Sequence, residues 1–128
     1  GFDEELARQI YGGADFLVIP SRYEPCGLTQ MIAMRYGSVP IARRTGGLAD
    51  TVQDPALSTT PTGFLFPDAS ASSLQFAIER ALEAYRRAHS GARAPLLQQL
   101  IQNGMARRFS WQNAADAYLE LYGEGTSR

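Results

Sequence analysis

The chain has 128 residues, which is enough for one small hydrophobic core. Its net charge of −1 and its 45% hydrophobic content are ordinary for a soluble globular domain, so neither a nucleic-acid partner nor a membrane partner is predicted. No apolar run reaches the roughly 18 residues that would indicate a membrane-spanning helix. The single cysteine excludes an internal disulfide and gives no support for a metal site made of protein ligands alone.

Short apolar runs alternate with helical patterns along the chain, which predicts an α/β domain. The predicted strands cover 16–20, 39–42 and 63–67, and a loop covers 55–62. Helices are predicted over 3–13, from about 26 to 37, from 48, over 96–105 and over 111–122. A further long helix follows the third strand; it is capped by Ser70, Ser72 or Ser73 and ends at 90–91. These are three short parallel strands and about six helices. A doubly wound domain has about six strands, so the pattern corresponds to half of one.

The junction between the first predicted strand and the helix after it is the candidate site. Phe16–Pro20 is a continuous apolar run, typical of a strand buried on both faces of a parallel sheet. With the helix beginning near Cys26, the backbone N–H groups of residues 26–29 would point out of its N-terminus and form an anion site. Such a site would lie at the carboxyl end of the sheet, where open α/β sheets bind ligands.

Individual residues of the junction favour a nucleotide sugar as the ligand. Gly27 would let a ligand approach the backbone closely, and the Thr29 hydroxyl could contact a phosphate. Glu24, just outside the turn, is free to accept hydrogen bonds from a polyol. A strand, turn and capped helix without any ligand is the alternative interpretation.

A second strand-turn-helix unit follows at 45–48. For Thr45-Gly46-Gly47, a tight turn packed against its neighbour is favoured over direct ligand contact. The pair Arg43-Arg44 is typical of a solvated surface, although at the carboxyl end of a sheet it could favour an anionic ligand or a partner domain. His89, the one histidine, is interpreted as a solvated residue near a helix dipole.

Two motifs carry a family resemblance: Glu24-Pro25-Cys26-Gly27-Leu28-Thr29-Gln30, and Arg44-Thr45-Gly46-Gly47-Leu48-Ala49-Asp50-Thr51-Val52, with Arg35-Tyr36-Gly37 and Pro40 between them. Through them the chain closely resembles the C-terminal domain of bacterial glycogen synthases and plant starch synthases. These enzymes are retaining glycosyltransferases of the GT-B fold. The resemblance extends from about Phe2 to Tyr122.

The resemblance implies a fold and a division of the chain. The α/β fold would be the second half of a doubly wound, Rossmann-like GT-B domain, with residues 1–122 forming the C-terminal part of the nucleotide-sugar-binding domain and residues 123–128 a flexible tail. An N-terminal acceptor domain would be a further partner. The family is expected to hold the donor phosphates with an upstream arginine and lysine, whereas all 12 basic residues here are arginine.

The resemblance also implies an activity, which is transfer of glucose from ADP-glucose to the non-reducing end of an α-1,4-glucan with retention. Glu24 would be the catalytic residue, contacting the glucose hydroxyls and placing the anomeric carbon rather than attacking it. Backbone amides of Cys26, Gly27 and Leu28, with the Thr29 hydroxyl, would hold glucose oxygens and the distal phosphate.

Further implications concern the adenine, the ribose and the location of the protein. Phe2 would stack on the adenine. Ile32 stands where related transferases have a second glutamate, which excludes a carboxylate contact to the ribose there. Neither a metal nor another cofactor is implied, because protein donors neutralise the phosphates. The expected location is the cytoplasm in a bacterium and the plastid in a plant.

Several alternatives remain open at this level. The parent could be another GT-B transferase that uses UDP-glucose, or the isolated chain could be a non-catalytic nucleotide-binding module without transferase activity. A nucleophilic Cys26 is disfavoured because no histidine is near in sequence, and a glycoside hydrolase because only Glu24 is placed on the site. The first strand is expected to be an open apolar edge, so that the isolated chain is marginally stable or self-associates through this edge.

Overall fold

The structure, a computed structural model, describes residues 3–24, 27–91, 93 and 95–107. Its elements are α1 (Glu4–Gly13), β1 (Phe16–Ile19), α2 (Thr29–Arg35), β2 (Val39–Arg43), α3 (Gly46–Thr51), β3 (Phe64–Phe66), α4 (Ala71–Ala88) and α5 (Leu96–Ala106). The predicted last helix at 111–122 and tail at 123–128 lie outside the described residues. The predicted loop at 55–62 contains neither helix nor strand.

The three strands form one parallel sheet, as predicted, and the structure places them in the order β1-β2-β3. Each strand therefore pairs with the next one along the chain. Parallel neighbours need a crossover connection, and α2 lies in the first crossover and α3 in the second. The carboxyl ends of the strands meet at one edge of the sheet, where the loops 20–28 and 44–45 begin.

Hydrophobic residues pack on both faces of the sheet. On one face, a cluster joins alternate residues of β2 and β3 to α4 and α5; its buried members are Val39, Ile41, Phe64, Phe66, Ala77, Ala81, Ala84, Leu97 and Leu100. On the other face, Ile19, Ala42 and Leu48 form a smaller cluster with α3. Because successive strand residues point to opposite faces, β2 contributes to both clusters and is the centre of the described core.

The helical spacing of six apolar residues predicts one apolar face for α4, which the structure confirms except at one position; the six are Leu74, Ala77, Ile78, Ala81, Leu82 and Tyr85. Ala77 and Ala81 are buried, and Leu74, Ile78 and Tyr85 pack against the larger cluster, but Leu82 is 42% exposed and Ala84 is buried instead. The fully buried stripe of α4 thus consists of alanines. Small side chains let a helix lie close to a sheet, so the buried stripe is narrow and the bulkier Leu82 remains at its margin.

Helix ends follow the capping residues in the sequence. The Asp3 carboxylate accepts a hydrogen bond from the Leu6 N–H at 3.0 Å at the start of α1. Ser70 does the same for the Ser73 N–H at 3.3 Å at the start of α4. These contacts satisfy backbone donors that have no partner within the helix.

Two helix starts differ from the prediction. The helix expected from near Cys26 begins at Thr29, because Gly27 has a left-handed φ of 66° and cannot continue a right-handed helix. The helix expected from Leu48 begins earlier, at Gly46, with Thr45 as its N-cap residue. Both differences lie at glycines, where the apolar pattern carries no signal.

The prediction that β1 is buried on both faces is wrong. Of its four residues only Ile19 is buried, and Val18 is 42% exposed. β1 lies at the edge of the described sheet, so packing reaches it mainly from the β2 side. An edge with exposed apolar side chains, as expected from the sequence, is therefore present within the described residues.

Asp54 fixes the loop between α3 and β3. Its carboxylate accepts hydrogen bonds from the N–H groups of Ala56 and Leu65 and from two nitrogens of the Arg80 guanidinium, at 2.7–3.0 Å. The Asp54 side chain is only 4% exposed. The pair joins this loop and the start of β3 to α4, and no apolar pattern in the sequence indicates it.

Candidate functional site

The candidate site lies at the carboxyl ends of β1 and β2. The loop after β1 carries Glu24, and its backbone is tied to the turn after β2 at two points. The Gly47 N–H donates to the Glu24 carbonyl at 3.0 Å, and the Arg43 guanidinium donates to the Arg22 carbonyl. Both contacts use backbone carbonyls of the loop, so they position the chain and leave the Glu24 side chain available.

Among the described residues of its own loop, the Glu24 carboxylate has Ser21 as a hydrogen-bond partner. Its Oε2 accepts from the Ser21 hydroxyl at 3.3 Å. The residue is half-buried, so the carboxylate is partly shielded yet reachable. A carboxylate held in this way can accept further hydrogen bonds from the hydroxyl groups of a ligand.

Gly27 is buried and cannot be replaced by a larger residue without displacing its neighbours. A Cβ atom there would lie 2.6 Å from the Gln30 side-chain oxygen and 3.0 Å from the Glu24 Cγ. The left-handed φ of 66° adds a second constraint, since non-glycine residues rarely adopt it. The stem of Glu24, Gly27 and the Gln30 side chain are therefore packed directly against one another.

The remaining predicted site residues divide into two groups. Leu28 and Thr29 directly follow Gly27, which packs against the Glu24 side chain, and both are exposed. Phe2 and Cys26 lie outside the described residues. Leu28 is the N-cap residue of α2, and its carbonyl accepts from the Ile32 N–H at 3.0 Å.

Three polar residues that sequence reasoning did not include among the site residues belong to the same region. Gln30 is 0% exposed and donates from its side-chain amide to the Thr51 hydroxyl at 2.9 Å. The Thr51 hydroxyl contacts the Gly47 carbonyl at 2.6 Å. Arg43 is half-buried rather than solvated. All three lie within or next to the two motifs, and that position is the sequence signal that could have found them.

The second turn has the structure of a packed connection, as the favoured interpretation held. Gly47 is buried and contacts the first loop through its N–H. Arg44 is exposed, and its backbone N–H donates to the Phe66 carbonyl at 2.9 Å. The two neighbouring arginines thus differ, since Arg43 holds the Arg22 carbonyl and Arg44 presents its side chain to solvent.

Other parts of the described chain are separate from this site. His89 is exposed at the C-cap of α4, where its Nδ1 lies 2.8 Å from the Tyr85 carbonyl, as expected for a residue at a helix end. A cavity of about 550 Å³ lies between α4 and α5, and one of about 150 Å³ beside Pro20, Arg22 and Ser70. Among the described residues, no three His, Cys, Asp or Glu side chains gather as metal ligands would. None of the helices described is both long and apolar enough to cross a membrane.

Residues 1–106 match the model of the family described as glycosyl transferases group 1. The chain belongs to this family. It is 52% identical over 122 residues to the glycogen synthase of Thermodesulfovibrio yellowstonii, and the aligned region covers 95% of the chain and 22% of that protein. It is 50% identical over 123 residues to the glycogen synthase of Syntrophotalea carbinolica, covering 95% of the chain and 24% of that protein.

Two solved structures have the same fold. The catalytic domain of starch synthase IV from Arabidopsis thaliana, solved with ADP and acarbose, matches with a TM-score of 0.83 and 44% identity, covering 100% of this chain and 26% of that one. Sucrose-phosphate synthase from Thermosynechococcus elongatus matches with a TM-score of 0.69 and 32% identity, covering 98% and 29%.

These comparisons confirm the predicted relationship to glycogen and starch synthases and the α/β, Rossmann-like architecture of a GT-B C-terminal domain. The chain spans about a quarter of the length of the glycogen synthases and of the starch synthase domain that it matches.

Proposed function

We propose that the chain forms the donor side of a glycogen or starch synthase, an enzyme that transfers glucose from ADP-glucose to the non-reducing end of an α-1,4-glucan with retention. The observation that carries the proposal is the 52% identity to a glycogen synthase across 95% of the chain, a span that includes the Glu24 loop. The starch synthase domain of the same fold was solved with ADP, which supports an adenine nucleotide as the ligand.

Within this proposal Glu24 orients the donor sugar. Its carboxylate accepts hydrogen bonds from glucose hydroxyls and places the anomeric carbon, without attacking that carbon. The Ser21 contact at 3.3 Å and the Gly47 contact to the Glu24 carbonyl at 3.0 Å support this role, because both restrict where the carboxylate can lie. Such orientation lowers the activation free energy of transfer, because the entropy of orienting the sugar is lost on binding and not during the reaction.

The residues after Glu24 are proposed to hold the diphosphate. Backbone N–H groups of Cys26, Gly27 and Leu28, with the Thr29 hydroxyl, would donate to glucose oxygens and to the distal phosphate. Donors fixed in position stabilise the negative charge that develops on the leaving nucleoside diphosphate. Phe2 would stack on the adenine ring. The glucan, a further N-terminal domain and a cytoplasmic location, or a plastid one in a plant, belong to the same proposal.

Titration of the 128-residue chain with ADP, UDP and ADP-glucose tests the proposal. We expect amide NMR shifts at Gly27, Leu28 and Thr29 that are larger with ADP than with UDP at equal concentration. Replacement of Glu24 by glutamine should weaken ADP-glucose binding on the order of tenfold, since a charged acceptor of the sugar hydroxyls is lost. The affinity for ADP itself should stay unchanged.

The matched control is Glu5→Gln, which removes an exposed carboxylate on α1 at a distance from the loop. Larger shifts with UDP would replace the ADP-glucose assignment by a UDP-sugar transferase. The absence of shifts at 27–29 with every nucleotide would contradict a donor site in this chain. Equal losses in the Glu24 and Glu5 variants would remove Glu24 from the site.

We also propose that the edge of β1 mediates self-association of the isolated 128-residue chain. The Asp15 carbonyl accepts from the Val39 N–H at 2.9 Å, so the backbone carbonyl of Asp15 points toward β2. Because backbone groups alternate along a strand, those of Phe16 and Val18 point to the side where the described residues form no further strand. An edge of this type with an exposed apolar side chain is a template for strand pairing.

The substitution Val18→Lys is expected to weaken that association. Two chains paired through β1 would bring the like charges together, raising the dimer Kd on the order of tenfold or more. Sedimentation velocity over a concentration series measures the effect. Leu57→Lys is the control, because Leu57 is 67% exposed and lies in the loop away from β1. If the unaltered chain and the Val18→Lys variant were both monomers at every concentration, the proposed dimer would be contradicted.

A further inference from the structure

Gln30 and Thr51, one in each motif, form a hydrogen-bonded connection beneath the candidate site. Gln30 is 0% exposed, and its side-chain nitrogen lies 2.9 Å from the Thr51 Oγ1. The same Oγ1 lies 2.6 Å from the Gly47 carbonyl oxygen. Residues on α2 and α3, 21 positions apart, thus meet through a single hydroxyl group.

The chemistry of the three groups fixes the direction of both hydrogen bonds. A glutamine NH₂ group only donates and a carbonyl only accepts. The Thr51 hydroxyl must therefore accept from Gln30 and donate its one proton to Gly47. A threonine hydroxyl that donates to the carbonyl four residues earlier is common in helices. Here the hydroxyl also accepts a hydrogen bond from the Gln30 amide, which is buried and would lower stability if it had no partner.

Gly47 links this connection to Glu24. Its carbonyl accepts from Thr51, and its N–H donates to the Glu24 carbonyl at 3.0 Å. Both peptide groups of Gly47 are thereby held, one by α3 and one by the loop. Three hydrogen bonds in sequence run from the Gln30 amide to the backbone of the residue proposed to orient the sugar.

Gln30 also supports the loop by direct packing. The space where a Cβ of Gly27 would lie is 2.6 Å from the Gln30 Oε1 and 3.0 Å from the Glu24 Cγ. The glutamine side chain therefore lies close against the turn whose amides are proposed to hold the donor. A shift of Gln30 would displace Gly27 by direct contact and Glu24 through Thr51 and Gly47.

We propose that Gln30 and Thr51 are positioning residues of the donor site. Their hydrogen bonds hold Gly47 so that its N–H fixes the backbone of Glu24, and Gln30 keeps the Gly27 turn in place. Neither needs to touch the nucleotide sugar. The consequence for donor binding rests on the proposed function, whereas the hydrogen-bond connection is measurable without any ligand.

Thr51→Val and Thr51→Ser separate the hydroxyl from the shape of the side chain. Valine keeps the shape and removes the hydroxyl, whereas serine keeps the hydroxyl. In Thr51→Val we expect hydrogen exchange of the Gly47 amide to accelerate on the order of tenfold, and ADP-glucose binding to weaken by a similar factor. Thr51→Ser should restore both. The Ile41 amide in the sheet is the internal reference and should keep its exchange rate in both variants.

The outcomes distinguish the inference from the proposed function. Equal effects of valine and serine, or equal acceleration at Ile41, would overturn the hydrogen-bond connection. Accelerated exchange at Gly47 with unchanged ADP-glucose affinity would overturn the positioning role. If the unaltered chain does not bind ADP-glucose while Gly47 follows the expected pattern, the proposed function fails and the connection stands.

A measurement on the unaltered chain keeps the inference testable if Thr51→Val does not fold. The side-chain NH₂ protons of Gln30 should exchange with solvent at least an order of magnitude more slowly than those of Gln102, which is exposed on α5. Slow exchange supports the buried connection. Equal rates for the two glutamines would overturn it.

Discussion

Replacement of Asp54 by alanine is expected to lower the free energy of unfolding by about 3 kcal/mol, because it leaves the Arg80 guanidinium without its carboxylate. The side chains of this pair are 4% and 25% exposed, so water compensates only on the arginine side. The Ala56 and Leu65 N–H groups lose their acceptor in the same substitution. Urea unfolding at neutral pH measures the change.

The double variant Asp54→Ala, Arg80→Met separates the lost attraction from the cost of an unpaired charge. It should recover part of the loss, since a buried charge no longer lacks a partner. Recovery has a limit, because the Arg80 guanidinium also lies 5.1 Å from the centre of the Phe64 ring. A double variant less stable than Asp54→Ala would show that Arg80 stabilises the fold mainly through contacts other than the ion pair.

The Asp54 pair also makes stability depend on pH. Burial alone would raise the pKa of Asp54, but hydrogen bonds from Arg80 and from the Leu65 and Ala56 amides outweigh it, so its pKa lies below the ordinary value of 3.8. A folded-state pKa below the unfolded one means that the unfolded chain binds the proton first as pH falls. The stabilisation is therefore complete above about pH 4 and is lost as pH falls through the folded pKa. Asp54→Asn should reduce this acid sensitivity, while Asp68→Asn, at an exposed site, should not.

Gly63→Ala is expected to destabilise the fold by about 3 kcal/mol or more through overpacking. The added Cβ would lie 2.5 Å from the Pro40 carbonyl oxygen, 2.8 Å from the Pro40 Cγ and 2.9 Å from the Val52 Cγ1. The first of these atoms belongs to the backbone of the central strand, which cannot move without disturbing β1 and β3. Thermal unfolding followed by circular dichroism measures the loss.

Gly13→Ala is the matched control, since a Cβ there meets no atom within 4 Å. At such a position alanine costs nothing in the folded state and restricts the unfolded chain, so stability should be unchanged or slightly higher. If Gly63→Ala were as stable as Gly13→Ala, the close approach of the loop to β2 would not be a constraint on the fold.

Much of the fold is predictable because it depends on local patterns. Apolar runs place β1, β2 and β3 to within about one residue, and Asp3 and Ser70 mark two helix starts through hydrogen bonds to residues three positions away. Both signals are short in range. The family resemblance then identifies the loop at 24–30 as the candidate site, because its motif is specific.

The features that the sequence leaves out depend on residues far apart in the chain. Thr51 meets Gln30 across 21 positions and Arg80 meets Asp54 across 26, and no periodicity connects such pairs. The late start of α2 is missed for another reason. The apolar spacing that begins at Leu28 does not mark where the helix starts. The start at Thr29 follows from the positive φ of Gly27, which packs against Gln30 and Glu24.

The first helix stands apart from this packing. α1 has no buried residue, and among the described ring contacts it meets α2 through Tyr11, whose ring stacks on Tyr36 at 6.2 Å. Opening α1 would therefore uncover neither hydrophobic cluster. We therefore expect α1 to open locally before the sheet unfolds, with its amides exchanging hydrogen faster than those of β2. A segment of this kind can change its conformation around a partner at little cost while the sheet and the Glu24 loop stay intact.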